Sequence, residues 1–217
     1  MDTKIIAFIN QKGGCGKTTL SINVGATLHY RHNKKVAIID GDSQGSATKW
    51  AGNALENEEF PCTILGLAKA GGLAHREIKK LIGMYDYIII DCPPNTEAQF
   101  NASVLLIADL AVIPFNPSPL DLRAIEEFKP LMEAASVTNE KLKTVAIVNR
   151  SDNRKVSGAV ESHFKNNESI KLLDTKIKSR AIYCETELTG TSVYTSKISE
   201  AKNEISLLVD EIIEQFN

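Results

Sequence analysis

Short apolar runs rich in isoleucine, valine and alanine recur at residues 4–9, 35–40, 86–91, 109–115 and 143–149. Their cores are apolar without a polar alternation, so each predicts a strand covered on both faces, as in a parallel sheet. Segments with helical spacing lie between and after them, at residues 18–31, 46–55, 74–83, 96–108 and 120–136, with another around 155–165. The alternation predicts an α/β fold, a doubly wound and mostly parallel sheet with helices on both faces. Residues 199–216 place Ala201, Ile205, Leu208, Val209, Ile212, Ile213 and Phe216 at helical spacing, with five acidic residues elsewhere on the circumference. That pattern predicts a helix packed on the sheet, since a membrane-surface helix would carry lysine and arginine where these acids stand.

The chain of 217 residues fits one domain, with no linker, repeat or low-complexity run and no N-terminal DNA-binding extension expected. With 43% hydrophobic and 24% charged residues the composition is that of a globular protein. The longest stretch free of Asp, Glu, Lys and Arg, residues 18–30, is 13 residues, short of the roughly 20 needed to span a bilayer. The start of the chain lacks the pattern of a secretory signal, and four widely spaced cysteines suit reduced thiols, so a cytoplasmic protein without disulfides is expected. Lys+Arg 25 against Asp+Glu 27 gives −2, which excludes a broadly basic protein.

Candidate chemistry starts where the first strand meets the first helix, at Lys12-Gly13-Gly14-Cys15-Gly16-Lys17-Thr18-Thr19. Strand, glycine-rich loop and helix in that order form a phosphate cradle: backbone N–H groups converge on phosphate oxygens, and the helix N-terminus adds positive potential. Lys17 can reach the β- and γ-phosphates of a nucleotide, and the Thr18 hydroxyl can ligate Mg2+. Asp91 ends an apolar strand where a magnesium carboxylate belongs. Asp40 and Asp42 end another, where an Asx turn or a cap for the following helix is the alternative use of one of them. Asn149 and Arg150 close a fifth strand, where an amide could read an adenine edge or simply end the strand.

The usual phosphate loop has glycine at the position of Gln11 and no second lysine. The K-G-G-x-G-K-T arrangement resembles the deviant Walker A motif of the ParA/MinD superfamily of P-loop ATPases. Three further segments are similar to that family: residues 36–45, with Ser43 in place of a common proline; residues 87–94, like its Walker B strand; and residues 113–121, like a loop of its small partition members. The chain thus looks like the short ParF-type partition ATPases.

The resemblance implies ATP and Mg2+ as cofactors, with Thr18, Asp40 and Asp91 near the metal and Asp42 orienting the attacking water. It implies that Lys12 crosses a two-fold interface, giving a homodimer that sandwiches two ATP, and that Asn149 lies at the base-recognition position. Its partners would be nonspecific DNA over the nucleoid and a small ribbon-helix-helix centromere-binding protein of the ParB/ParG kind. Some short members also form ATP-dependent polymers. The same core serves reductases, metal carriers and tyrosine kinases, but paired cysteines and a tyrosine-rich tail are missing here. Partition of DNA is the leading expectation, and MinD-like membrane positioning or positioning of another cargo is the alternative.

Charge is uneven along the chain. Residues 141–180 carry ten basic and four acidic side chains, including Lys171, Lys176, Lys178 and Arg180, whereas residues 181–217 carry two basic and seven acidic ones. A basic segment repeated in a dimer could track a DNA backbone, and it could equally be a solvated face.

Overall fold

The structure, a computed structural model, describes residues 2–55, 59–94, 98–151, 157–165, 167 and 169–217. Arg154 and Lys155, and the first residues of the helices expected from 96 and 155, lie outside these. Among the described residues there are seven strands: β1 (Lys4–Phe8), β2 (Val36–Asp40), β3 (Thr63–Gly66), β4 (Tyr87–Asp91), β5 (Leu110–Phe115), β6 (Lys143–Ser151) and β7 (Lys171–Lys178). They form one sheet of order β3-β2-β4-β1-β5-β6-β7, paired in parallel throughout.

The helices are α1 (Lys17–His32), α2 (Ser46–Gly52), α3 (Ala74–Lys79), α4 (Ala98–Leu105), α5 (Pro119–Thr138), α6 (Ser157–Phe164), α7 (Ile182–Thr189) and α8 (Ser199–Glu214). Along β1, Ile5, Ala7 and Ile9 join one buried cluster with residues of α3, α4, α5 and α6, while Ile6 and Phe8 join a second with α1, α2 and α8. Both sets of alternating positions are therefore apolar, and every residue from Ile5 to Ile9 is almost fully buried. The α8 residues Ala201, Ile205, Leu208, Val209 and Ile212 are buried in that second cluster, so its apolar stripe is spent on the sheet.

The five strands expected from apolar runs are present, and two edge strands and α7 are additions. β3 is only four residues long and half exposed, too short to stand out as an apolar run. β7 buries only Leu173, Thr175 and Ile177, so its sequence Lys-Leu-Leu-Asp-Thr-Lys-Ile-Lys reads as charged. Glu211 of α8 shields this edge: its carboxylate accepts from the backbone N–H of Asp174 (3.0 Å) and Thr175 (2.8 Å) and from the Thr175 hydroxyl.

The same packing neutralises part of the basic segment. Arg180 pairs with Glu204 of α8 at 2.7 Å, and Lys176 with Glu161 of α6 at 3.1 Å. Lys171 and Lys178 remain exposed. Opposing acids, distant in sequence, thus reduce the charge that the local count suggested.

α7 ends at Gly190, whose φ of 65° is in the left-handed region, and a Cβ there would stand 2.0 Å from the Ala54 nitrogen. Backbone is the obstacle, so nothing flexible can yield. Gly190→Ala is expected to cost about 2–3 kcal/mol and lower the thermal midpoint by roughly 5–10 °C, read by calorimetry.

Candidate functional site

At the carboxyl edge of the sheet, β1 runs into residues 10–16 and then α1. Gly14 (φ 74°) and Gly16 (φ 97°) adopt left-handed backbone, which turns successive N–H groups inward. Lys17 is only 8% exposed, and its ammonium donates to the Lys12 carbonyl oxygen at 2.9 Å, which keeps the charge inside the loop. Asn10 secures the entrance, accepting from the Lys12 N–H (3.0 Å) and donating to the Pro114 carbonyl at the end of β5 (2.8 Å).

Asn149 secures the far side. It is buried, and its amide donates to the Cys15 carbonyl at 2.8 Å. A Cβ on Gly16 would lie 2.0 Å from that amide nitrogen, so glycine is required there on two counts, space and φ. One N–H of the amide at the expected adenine-reading position thus braces the phosphate loop. Arg150, beside it, has φ 52°, unusual for a side chain with a Cβ, next to a register shift between β6 and β7, and it lines the cleft over the loop. The backbone irregularity re-aims this arginine at the cleft's rim.

The acidic residues separate into two groups. Asp91, buried at the end of β4, accepts from the Thr18 hydroxyl at 2.6 Å through one oxygen. Its other oxygen is buried without a partner among the described residues. Burial pushes this carboxyl up to about 7; the Thr18 hydrogen bond and Lys17 oppose the rise, while Asp40 and Asp42 add to it. A hydroxyl beside an unpartnered carboxylate oxygen, at the foot of a phosphate cradle, fits a hard cation that takes its remaining ligands from phosphate and water.

Asp40, adjacent to Asp91 across the sheet, has both oxygens engaged: one accepts from the Asp42 N–H (3.2 Å), the other from the Thr48 N–H and hydroxyl (2.8 Å each). Through Thr48 it caps the first turn of α2 and fixes the loop between β2 and α2, a structural duty in addition to its expected place near the metal. Asp42 is half-buried, lines the cleft and closes an Asx turn by accepting from the Gln44 N–H at 2.8 Å.

Lys12 stands at the loop's mouth, its side chain 40% exposed, and its ammonium lies 2.8 Å from Asp121, which is almost fully buried in the first turn of α5. Ser118 caps that helix, accepting from the Asp121 N–H (3.1 Å) and donating to its carboxylate (2.8 Å). The sequence pattern at 118–121 signals a helix start but not a partner for Lys12. The cleft of about 220 Å³ over the loop also involves Gly13, Thr19, Ser46, Trp50, Cys92 and Glu187. Trp50 and Glu187 come from α2 and α7, and no local pattern marks either. Burial raises the thiols of Cys15 and Cys92, and the Lys17 charge opposes the rise at both.

These parts can cradle a nucleotide polyphosphate, hold a divalent cation beside it and place a carboxylate at the γ-phosphate end. Against known proteins, residues 6–207 match the family model described as the CobQ/CobB/MinD/ParA nucleotide binding domain. The chain is 29% identical over 210 residues to maintenance of carboxysome distribution protein A of Halothiobacillus neapolitanus, covering 96% of this chain and 95% of that one. Apo McdA of Cyanothece has the same fold, with a TM-score of 0.82 at 18% identity, covering 97% of this chain and 99% of that one. The septum site-determining protein MinD of Pyrococcus horikoshii, solved with Mg-ADP, superposes with a TM-score of 0.75 at 23% identity, over 97% of this chain and 96% of that one. With phosphate loop, carboxylates and family match in register along one sheet edge, the chain belongs to the CobQ/CobB/MinD/ParA family of nucleotide-binding domains.

Proposed function

We propose that the protein is an ATPase that forms an ATP-bound homodimer, holds nonspecific DNA through that dimer, and so positions a large cargo over the nucleoid. The carrying observation is the pair of lysines in one loop. Lys17, held inside, serves the bound phosphates. Lys12, exposed at the mouth, supports contact with the nucleotide of a second copy, which makes a closed two-fold dimer the natural assembly.

Hydrolysis of a phosphoanhydride requires little covalent help, so the residues act by positioning and charge. The loop N–H groups and Lys17 bind the phosphate oxygens, and Thr18 and Asp91 would hold magnesium. When bound, the ion neutralises charge on the phosphates and leaving group. Asp42, at the cleft wall, orients the attacking water, while Asp40 keeps its loop in place through Thr48. Arg150 lies at the rim and contacts the nucleotide beyond the phosphates.

The cargo has two readings. DNA partition with a small ribbon-helix-helix partner follows from the short ParF-like motif set. Distribution of a protein compartment is favoured by the Halothiobacillus relative, whose name states that role and whose length the chain matches almost end to end. Membrane positioning through α8 is disfavoured because its apolar stripe is buried in the core.

The test is ATP turnover with and without DNA, beside sedimentation with DNA or liposomes in ATP and ADP. ATP-dependent, salt-sensitive retention on DNA is expected, and retention indifferent to nucleotide and salt would sink the proposal. Because Lys176 and Arg180 are paired, the exposed cations should dominate. Lys171→Glu with Lys178→Glu is expected to weaken DNA retention by about tenfold or more at low salt while sparing basal turnover.

A further inference from the structure

Gly41 stands between Asp40 and Asp42 and is buried. A Cβ there would lie 2.3 Å from Cε1 and 2.5 Å from Cζ of Phe100, a ring that is 1% exposed in the cluster shared with α3, α5 and α6. Gly41 does not adopt left-handed backbone, so its conformation would accept alanine and the ring alone excludes one. The ring therefore packs directly on backbone, one residue before Asp42.

The hydrogen bonds of Asp42 itself are local. Its N–H donates to Asp40 (3.2 Å), its carboxylate accepts from the Gln44 N–H (2.8 Å), and its carbonyl accepts from the Gly45 N–H (2.9 Å). Such bonds shape the turn, whereas its position against the cleft depends on what the turn leans on. The Gly41 N–H donates to the Asp91 carbonyl at 3.0 Å, and Phe100 of α4 supplies the apolar contact. In the same turn of α4, Asn101 is 3% exposed and donates to the carbonyl of Pro93, two residues past Asp91, at 3.2 Å. One turn of α4 thus braces the chain next to both Asp42 and Asp91.

We propose that Phe100 is a positioning residue for hydrolysis, which by filling the space against Gly41 holds the Asp42 carboxylate at the γ-phosphate end of the cleft. This rests on the reading of Asp42 as the group that orients the attacking water. Phe100 also lines a second cleft, of about 540 Å³, with Ser43 and Lys69, so there is room beside the contact into which the turn can move. The ring is packed in the core while Ser43 and Gln44 are exposed, so a forced separation displaces the turn. Bringing 2.3 Å out to an ordinary carbon–carbon contact of about 3.5 Å takes a shift of about 1 Å, and a misplacement of that size can cost about 100-fold in rate.

Phosphate release at saturating ATP gives kcat, and titration with ADP reads the phosphate loop, whose cleft neither residue lines. Gly41→Ala should lower kcat by about 30-fold or more and change ADP affinity less than about threefold. Phe100→Leu, which removes Cε1 and Cζ, should lower kcat by about three- to tenfold for want of support. Added to Gly41→Ala it should raise kcat by about tenfold, because the two nearest atoms are gone; lesions that merely loosen the fold would instead add. Gly41→Ala at wild-type turnover, no recovery in the double variant, or ADP affinity falling in step with kcat would overturn the proposal. If Gly41→Ala does not fold, Phe100→Leu alone decides, and an unchanged kcat overturns it. Asp42→Asn separates the two readings. Slow turnover there with normal turnover in Gly41→Ala refutes the role of Phe100 alone, whereas normal turnover in Asp42→Asn refutes the reading of Asp42 and this proposal with it.

Discussion

Asp91→Asn is expected to lower ATP turnover by about 100-fold or more while leaving the nucleotide-free protein at least as stable as the wild type. The two effects have one origin. Asp91 is buried, with one oxygen on the Thr18 hydroxyl and the other without a partner among the described residues. Its charge is costly without a cation and valuable when one lies beside it. Asparagine keeps the shape and can still bond Thr18, but it carries no charge.

The pH dependence follows with a definite sign. The carboxyl titrates near 3.8 in the unfolded chain and is pushed up to about 7 in the fold, by burial above all. The folded chain therefore binds the extra proton between those values, and stability falls as pH rises from about 4 through 7. Thermal midpoints of wild type minus Asp91→Asn, measured without nucleotide from pH 5 to 8, should decline across that range. The difference cancels the histidines and other groups common to both proteins. A flat difference, or Asp91→Asn with full turnover, contradicts the assignment.

Lys12→Ala is expected to retain nucleotide binding but to lose ATP-dependent dimerisation and to slow turnover by about 100-fold or more, seen by sedimentation velocity and phosphate release. Lys12 now pairs with Asp121 of its own chain at 2.8 Å. Reaching a second copy's nucleotide requires leaving that partner, and a buried carboxylate stripped of its cation is expensive, about 3–5 kcal/mol when a buried pair is broken outright. The exposed lysine end lowers this cost. Asp121→Asn removes the competition while preserving the helix start, since Ser118 still caps α5. It should dimerise at roughly tenfold lower ATP concentration. An unchanged ATP requirement in Asp121→Asn would mean that the intrachain pair does not restrain Lys12.

The central strands and the phosphate loop were legible because their signals are local. β1, β2, β4, β5 and β6 announce themselves as apolar runs, and the loop by glycines ending in Lys17 and Thr18. Edge strands β3 and β7 escaped because only one side of each is covered, which erases the apolar run. Side-chain duties at the site were less legible. Asp40 and Asp91 both end apolar strands, yet Thr48, eight residues beyond Asp40, takes one of them into a helix cap. Asn149 supports Cys15 from 134 residues away, and Glu204 neutralises Arg180 from another element, pairings no local spacing displays.

The central claim is that nucleotide state sets assembly. Sedimentation velocity of one preparation in ATP with magnesium, in ADP with magnesium and without nucleotide tests it directly. A doubling of the 23.8 kDa mass is expected in ATP alone, reversing as phosphate is released. A mass independent of nucleotide, whether of one chain or of two, would contradict it.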